Sequence, residues 1–272
     1  MYGINYGRIA DNLPSPKILT AFNGSSIEIV VRLGGEFLTK MSVNEDRTMS
    51  WIKENVQPFL PGTSIHGIAV KNEILASKVR QDLWEVFLPA AKNGVFANSF
   101  PPSSCTFKED IVPYMKPLLQ FFSQIGSPFF INAYPFLTYM IHYDNMFDAQ
   151  IDAAYAALEK AGFGKMQVIV SKTDWPSHGD ESEAGASEKN ARTSNNKLCK
   201  RLAKKKGTPY GPNIPMKAYV FALFNENLKP GGTSERNFGL VKANGSIAYD
   251  IGFTRLKPCS GASSLLCQGM DS

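Results

Sequence analysis

Residues 129–133 read FFINA, residues 149–161 read AQIDAAYAALEKA and residues 166–171 read MQVIVS. The first and last of these segments are short apolar runs typical of buried strands, whereas the middle segment has the length and apolar spacing of a helix. A strand, a helix and a second strand in this order predict one parallel βαβ unit.

The same alternation extends outward from this unit through the chain. Strands are predicted at 2–6, 27–33, 65–70, 129–133, 166–171, 216–224 and 238–241. Helices are predicted at 15–22, 45–56, 83–92, 114–124, 149–161 and 187–206. This order predicts a (β/α)₈ TIM barrel at 1–257, followed by a polar tail at 258–272, and an open seven-stranded sheet is the alternative.

One strand of a regular barrel has no counterpart in this pattern. The predicted helix that ends at Lys92 is followed by nothing strand-like before Phe129, where a regular barrel has its fourth strand. We therefore expect the barrel to be incomplete in this region.

Charge and hydropathy exclude several classes of partner. The net charge is +5, and lysines gather at 197–206, a run typical of a solvated helix face, so no nucleic-acid partner is expected. No apolar segment approaches the ~20 residues of a membrane span. No signal peptide is visible from Met1 onwards, and the residues 259–268 lack the hydrophobic stretch of a lipid-anchor signal. We expect a monomer.

Cofactor and metal motifs are also missing from the sequence. The four cysteines have no CxxC spacing, and Cys259 and Cys267 are either bridged or free. The three histidines show neither metal-ligand spacing nor a serine partner, and neither a GxGxxG nor a P-loop sequence is present. We therefore expect no cofactor and no metal. Two sequons, at Asn23 and Asn244, would matter only in a secreted chain.

Candidate catalytic groups follow the predicted strands, because barrel enzymes place reacting groups at the carboxyl ends of their strands. Glu73 follows the third strand, where a shielded carboxylic acid could protonate a leaving group. The alternative for Glu73 is a solvated residue in the first turn of a helix. Trp175 follows a later strand, where its ring could stack on a sugar or fill a hydrophobic gap. Glu226 and Lys229 are three residues apart, which suits a simple ion pair or a pair that sets the charge of a cleft.

Several long motifs recur in the order found in one family. They are GINYGR at 3–8, WIKENVQPFLP at 51–61, FANSFPPSS at 96–104, INAYPF at 131–136, WPS at 175–177, FNENL at 224–228 and ERNFGL at 235–240. Through these motifs, which span nearly the whole chain, the sequence resembles the plant glucan endo-1,3-β-glucosidases, glycoside hydrolase family seventeen.

The resemblance implies a (β/α)₈ barrel with an open cleft, retaining hydrolysis of internal bonds in 1,3-β-glucan, and secretion or a cell-wall location. It makes Glu73 the proton donor. It also implies that the substrate is bound by Tyr6, Asn72, Tyr134, Trp175, Glu226 and Lys229.

The chain departs from the family where the nucleophile belongs. The family motif SETGWPS is replaced at 171–177 by SKTDWPS, so Lys172 stands at the nucleophile position. An ammonium group cannot replace the attacking carboxylate, and it would also hold Glu73 in its ionised form. The resemblance also predicts that two segments of the family are missing here, one near 92–95 and one near 140–141. The resemblance therefore implies a weakly active or inactive family member, and a non-catalytic β-glucan-binding protein or a degenerate paralogue is the alternative.

Overall fold

The computed structural model describes residues 1–6, 15–33, 45–70, 95–98, 101–134 and 146–251. The chain divides into two compact units. The first unit comprises Met1–Asn12 and Val95–Thr254, and the second comprises Leu13–Gly94 and Arg255–Ser272.

The described strands are β1 (Tyr2–Asn5), β2 (Ile29–Leu33), β3 (Ile65–Val70), β4 (Phe96–Ala97), β5 (Thr106–Phe107), β6 (Phe129–Asn132), β7 (Val168–Thr173) and β8 (Ala218–Phe221). The described α-helices are α1 (Ser15–Ala21), α2 (Glu45–Asn55), α3 (Val112–Gln124), α4 (Met146–Lys160) and α5 (Glu188–Ala203). Short 3₁₀ helices lie at Gln57–Phe59, Pro102–Ser104 and Thr233–Arg236.

The first unit is built on a parallel sheet with the strand order β1-β8-β7-β6. Helix α4 packs against β7, β5 and the Pro102–Ser104 turn. Its alanine-rich sequence explains this close packing, because small side chains bring the helix backbone near its neighbours, and Ala154 and Ala157 are fully buried. A second part of the core forms around Val220 of β8, with Trp175, Leu240 and Tyr249.

The second unit contains the parallel pair β2 and β3. Leu33 at the end of β2 packs with Trp51 and Val56 into a small hydrophobic cluster. Thr63 is buried in the turn before β3, and its hydroxyl donates to the Leu19 carbonyl at 2.8 Å. This bond ties the end of α1 to the start of β3.

Most predicted elements are confirmed, with ends that differ by a few residues. The predicted strand at 65–70 matches β3, and the predicted helix at 149–161 corresponds to Met146–Lys160. The predicted helix at 83–92 lies outside the described residues. Within the described residues the strands do not close a barrel, because the four-stranded sheet and the β2–β3 pair are separate sheets.

The predicted strand at 238–241 is wrong as a regular strand. The segment runs beside the end of β8, and Leu240 N donates to Ala222 O at 3.0 Å, but only an isolated parallel bridge joins Phe224 and Val241. Gly239 explains the close approach, since a Cβ there would lie 2.0 Å from Asn225 N. The ladder stays short because the chain turns at once into an antiparallel bridge between Val241 and Ile247.

A short antiparallel pair occurs where the sequence predicted nothing strand-like. Phe96 pairs with Phe107 and Ala97 with Thr106, and the two phenylalanine rings lie 5.5 Å apart. Two residues on each side are too few to show a periodic pattern in the sequence. Among the strands that the structure describes, β4 pairs only with β5, so it is not a fourth strand of the parallel sheet.

Candidate active site

The candidate site lies at the carboxyl edge of the four-stranded sheet in the first unit. Parallel strands end at the same edge, which places the residues after β1, β6, β7 and β8 together. Asn5 links three of these strands, because its side-chain amide donates to Ser171 O at 2.9 Å and to Val220 O at 3.3 Å. Ala133 N donates to Lys172 O at 3.0 Å, which joins the fourth strand to the same edge.

Lys172 follows a bulge near the end of β7. The register of β7 shifts against β6 and against β8 at this point, which leaves Ser171 as an extra residue opposite β6. The Ser171 hydroxyl donates to Ile131 O and to Asn132 Oδ1, each at 2.8 Å. Bulges re-aim the side chains beside them, so this one sets the direction of Lys172.

The ring of Phe221 lies close to two ammonium groups of the site. Lys172 Nζ is 4.6 Å from the centre of this ring, and Lys229 Nζ is 5.2 Å from the same point. Both distances are within the range of a cation–π interaction. Two positive charges are therefore gathered at the end of β8.

Glu226 and Lys229 form the ion pair that their spacing suggested, but a second carboxylate is closer. Lys229 Nζ lies 3.9 Å from Glu226 Oε2 and 2.8 Å from Glu235 Oε2. The Glu226 side chain is only 7% exposed, whereas that of Glu235 is 41% exposed. Lys229 thus compensates one buried and one exposed carboxylate at the edge of the site.

Two half-buried tyrosines extend the site along the sheet edge. Tyr6 packs edge-on against Phe224 at 5.8 Å, and Tyr134 packs edge-on against Phe238 at 6.1 Å. Edge-on packing holds each ring at a fixed angle. These rings are the predicted cleft tyrosines, and the structure brings both to the same edge as Lys172.

Trp175 lies in the hydrophobic core of the first unit. It is 8% exposed and packs with Ala191, Val220 and Leu240, while its indole N–H donates to Gly185 O at 2.7 Å. Of the two alternatives that the sequence left open, this placement favours filling a hydrophobic gap over stacking on a sugar.

Asp174 is a buried carboxyl beside the site, at a position where the family sequence has glycine. Its Oδ1 accepts from Trp175 N at 2.6 Å and from Asn195 Nδ2 at 2.8 Å. Asn195 Nδ2 also donates to the Tyr249 hydroxyl at 2.7 Å. Burial raises the pKa of Asp174 well above its usual value.

Two predicted residues cannot be placed. Glu73 and Asn72, the predicted proton donor and its neighbour, lie outside the described residues. In the described part of the chain, no group of His, Cys, Asp and Glu side chains could hold a metal ion. The same part contains no helix with the length and apolar character required to cross a membrane.

Residues 138–253 match the family described as Glycosyl hydrolases family 17. The chain is 40% identical to glucan endo-1,3-β-glucosidase 11 of Arabidopsis thaliana, over 96% of this chain and 78% of that relative. It is 37% identical to glucan endo-1,3-β-glucosidase 14 of the same plant, over 94% of this chain and 83% of that relative. The chain belongs to this family.

The fold of the chain also resembles solved structures of family 17. The solved structure of CJP38, a β-1,3-glucanase and allergen of Cryptomeria japonica pollen, superposes with a TM-score of 0.81 at 29% identity, over 92% of this chain and 98% of that chain. This likeness confirms the predicted barrel class. The predicted enzyme class, a glycosyl hydrolase by family, is confirmed by the same relatives.

This family 17 chain is shorter than the matched region of its relatives. The match to the first Arabidopsis relative extends over 332 residues, although this chain has 272. The relatives therefore contain segments with no counterpart here, which supports the predicted internal deletions. The two predicted places, between 92 and 95 and at 140–141, lie outside the described residues.

Sequence reasoning missed three residues of the site. Asn5 links the strand ends, the Phe221 ring lies close to two lysines, and Glu235 is nearer to Lys229 than Glu226 is. Asn5 and Glu235 belong to family motifs, so the sequence did contain a signal for them. Phe221 is indistinguishable from other core residues in an apolar strand, and only the structure shows what surrounds its ring.

Proposed function

We propose that this family 17 chain binds 1,3-β-glucan and hydrolyses it weakly or not at all, because Lys172 occupies the position of the nucleophile. The position of the Lys172 ammonium group supports this proposal most directly. It lies at the carboxyl end of β7, 4.6 Å from the centre of the Phe221 ring. The relatives from Arabidopsis thaliana are glucan endo-1,3-β-glucosidases, which indicates the substrate class.

The chemistry of retaining glycosidases supports this proposal. These enzymes use two carboxyl groups roughly 5 Å apart, one to attack the anomeric carbon and one to donate a proton. The Lys172 ammonium has no lone pair with which to attack. Its positive charge also opposes the oxocarbenium-like transition state, so the electrostatic contribution of this position changes sign.

Glu226 is a poor replacement for the missing carboxylate. An inverting mechanism needs a water molecule between a general base and the acid, with the two carboxyl groups roughly 6.5–9.5 Å apart. The Glu226 side chain is 7% exposed and lies 3.9 Å from Lys229 Nζ. Burial leaves little room for a water beside Glu226, and its carboxylate is already paired with the Lys229 ammonium.

The test is the release of reducing sugar from a soluble 1,3-β-glucan. The unmodified chain is compared with Lys172→Glu, with Lys172→Gln and with the double variant Lys172→Glu, Glu73→Gln. We expect activity only in Lys172→Glu, because only this variant has two carboxyl groups. The Lys172→Gln variant controls for removal of the positive charge.

Other outcomes of this assay would change the proposal. Activity in the unmodified chain as high as that of Lys172→Glu would mean that another group is the nucleophile. Silence of Lys172→Glu, in a variant whose thermal unfolding matches that of the unmodified chain, would show that the absent segments rather than Lys172 abolish hydrolysis.

A second candidate function is β-glucan binding without turnover as the biological role. It is favoured by Tyr6 and Tyr134, which are both half-buried at the same sheet edge and held by Phe224 and Phe238. Laminarin affinity should then persist in the unmodified chain and fall in Tyr134→Ala. A folded chain with no laminarin affinity would instead indicate a degenerate paralogue.

The location that we propose for this chain is the secretory route and the cell wall. Its substrate class is a wall polysaccharide, and a net charge of +5 with a pI near 8.9 suits retention in an acidic matrix. Fractionation of tissue that expresses the chain tests this proposal, and recovery only from the cytosol would contradict it.

A further inference from the structure

A tight turn at 242–246 presents one of the two sequons. Gly245 N donates to Lys242 O at 2.9 Å, and Lys242 N donates to Ser246 O at 2.7 Å. Gly245 has a φ of 85°, a conformation that glycine adopts without strain. Asn244, Gly245 and Ser246 therefore lie on a compact hairpin turn, on which Asn244 is exposed.

The amide oxygen of Asn244 accepts the hydrogen bonds that orient its side chain. Asn244 Oδ1 accepts from Ser246 N at 3.0 Å and from the Ser246 hydroxyl at 2.7 Å. In the part of the chain that the structure describes, Nδ2 of Asn244 makes no hydrogen bond. Nδ2, the reactive nitrogen of the amide, is therefore accessible to a sugar donor. The side chains of Asn244 and Ser246 are already joined by a hydrogen bond.

The second sequon, at Asn23, has a different arrangement. The Ser25 hydroxyl donates to Phe22 O at 2.7 Å instead of to the asparagine. Asn23 Oδ1 lies against Gly62, where a Cβ on that glycine would be only 2.0 Å away. Gly24 N also donates to Gly62 O at 2.7 Å. A bulky group on Asn23 would crowd this contact between two turns.

An open pocket lies beside Asn244. It has a volume of about 510 Å³, and its lining includes Asn225, Asn227, Arg236, Asn237 and Lys242. Amide side chains both donate and accept hydrogen bonds and cationic side chains donate them, so both kinds suit the hydroxyl groups of a sugar. The first sugars of a glycan on Asn244 would therefore lie beside amide and cationic side chains that can form hydrogen bonds with them.

We propose that Asn244 is an N-glycosylation site and that Asn23 is not. The donor is an oligosaccharide linked to a polyprenyl diphosphate. A bond forms between Nδ2 of Asn244 and C1 of the first sugar, the bond from C1 to the phosphate oxygen breaks, the lipid diphosphate leaves and Nδ2 loses one proton. This inference rests on the secretion included in the proposed function.

The test uses the full chain, expressed behind a secretory leader in a eukaryotic host and compared with Asn244→Gln, Ser246→Ala, Ser246→Thr and Asn23→Gln. Glycan occupancy is read by peptide mass spectrometry after enzymatic removal of the glycan in heavy-oxygen water, which marks each occupied asparagine. We expect an occupied Asn244 in the unmodified chain, in Asn23→Gln and in Ser246→Thr. Asn244→Gln and Ser246→Ala should lose the glycan completely.

The outcome is independent of hydrolysis, because the leader supplies entry to the secretory route. Secreted chain with an unmodified Asn244, or with a glycan on Asn23 alone, would overturn the proposal even if the chain binds laminarin. An occupied Asn244 in a chain that does not bind laminarin would leave the site standing and would refute only the proposed function.

Discussion

The residues after Ser171 differ sharply in environment although they are adjacent in sequence. Lys172 lies over the Phe221 ring at the sheet edge, whereas Asp174 and Trp175 are buried. The bulge at Ser171 and the Asp174 carboxyl, which accepts a hydrogen bond from Trp175 N, produce this difference in burial. Residue 172 can therefore be changed with less disturbance of the core than residues 174 and 175.

Trp175→Phe tests whether this ring packs or binds. We expect the free energy of unfolding to fall by about 1 kcal/mol, because the hydrogen bond to Gly185 O is lost, while laminarin affinity stays the same. Urea unfolding and affinity electrophoresis give the two values, and Tyr134→Ala serves as the variant that should lose affinity. A loss of affinity in Trp175→Phe with unchanged unfolding would show that the ring contacts the sugar.

Asp174→Asn tests the buried carboxyl. Because burial raises the pKa of Asp174, the folded chain keeps a proton that the unfolded chain loses near pH ~4. The stability of the unmodified chain should therefore fall as the pH rises from about 4 towards the raised pKa, and Asp174→Asn should weaken this dependence.

Thermal unfolding between pH 5 and 8 measures this difference, with the exposed Glu181→Gln as the control. Equal pH dependence in Asp174→Asn and in the unmodified chain would contradict a carboxyl that is neutral in the folded state.

At the scale of elements, two carboxylates join the loop after β7 to the 3₁₀ helix Thr233–Arg236. Thr233 N donates to Asp180 Oδ2 at 3.0 Å, and Ser234 N donates to Glu183 Oε2 at 2.9 Å. The hydroxyl groups of Thr233 and Ser234 donate to the same carboxylates at 2.5 Å. These bonds connect the segment after Lys172 with the segment that contains Glu235.

This connection should weaken in acid. Hydrogen bonds from Thr233 lower the pKa of Asp180, and those from Ser234 lower the pKa of Glu183. Their contribution is present above the unfolded values near pH ~4 and is lost as the pH falls through the lowered values. We expect amide exchange at 231–237 to speed up in Glu183→Gln at neutral pH but not in Glu181→Gln. Equal exchange in both variants would contradict the connection.

The elements show what the sequence could predict. Helices such as α4 were predictable because their apolar spacing persists over several turns, and β3 because a turn precedes a short, mostly apolar run. The bulge at Ser171 was not predictable, because one inserted residue leaves the apolar pattern of the strand unchanged. The segment 238–241 has the sequence pattern of a strand. The number of its hydrogen bonds to the end of β8 depends on the close backbone approach at Gly239, which the pattern does not show.

At the scale of the whole molecule, burial is unequal between the two units. Helix α4 of the first unit has nine buried residues among its 15. In the described part of the second unit the buried residues are Leu19, Leu33, Trp51, Val56 and Thr63. Segments with few buried contacts open more readily than a packed core.

Native-state amide exchange should therefore be slowest in α4 and faster in α2 and β3. Exchange that is equally slow in all three elements would show that the chain opens only as a single cooperative unit. The rates are followed by mass spectrometry of peptides from each element at neutral pH.

The candidate site was predictable from the sequence in part. Glu226 and Lys229 were proposed from their position after a predicted strand, whereas Tyr6 and Tyr134 were named only from family motifs. The structure brings all four to one sheet edge with Lys172. Physical patterns alone do not reveal which strand ends meet, because that depends on the strand order of the sheet. For the same reason, Trp175 was equally consistent with a core residue and with a sugar-binding platform.

The most direct test of the central claim is covalent trapping with a 2-deoxy-2-fluoro laminaribiosyl fluoride. The fluorine at C2 destabilises an oxocarbenium-like transition state, so a glycosyl-enzyme formed by a retaining nucleophile accumulates. We expect the peptide containing residue 172 to gain the mass of the sugar in Lys172→Glu, and we expect no gain in the unmodified chain or in Lys172→Gln. Labelling of the unmodified chain at Glu226 or at any other carboxylate would contradict the central claim.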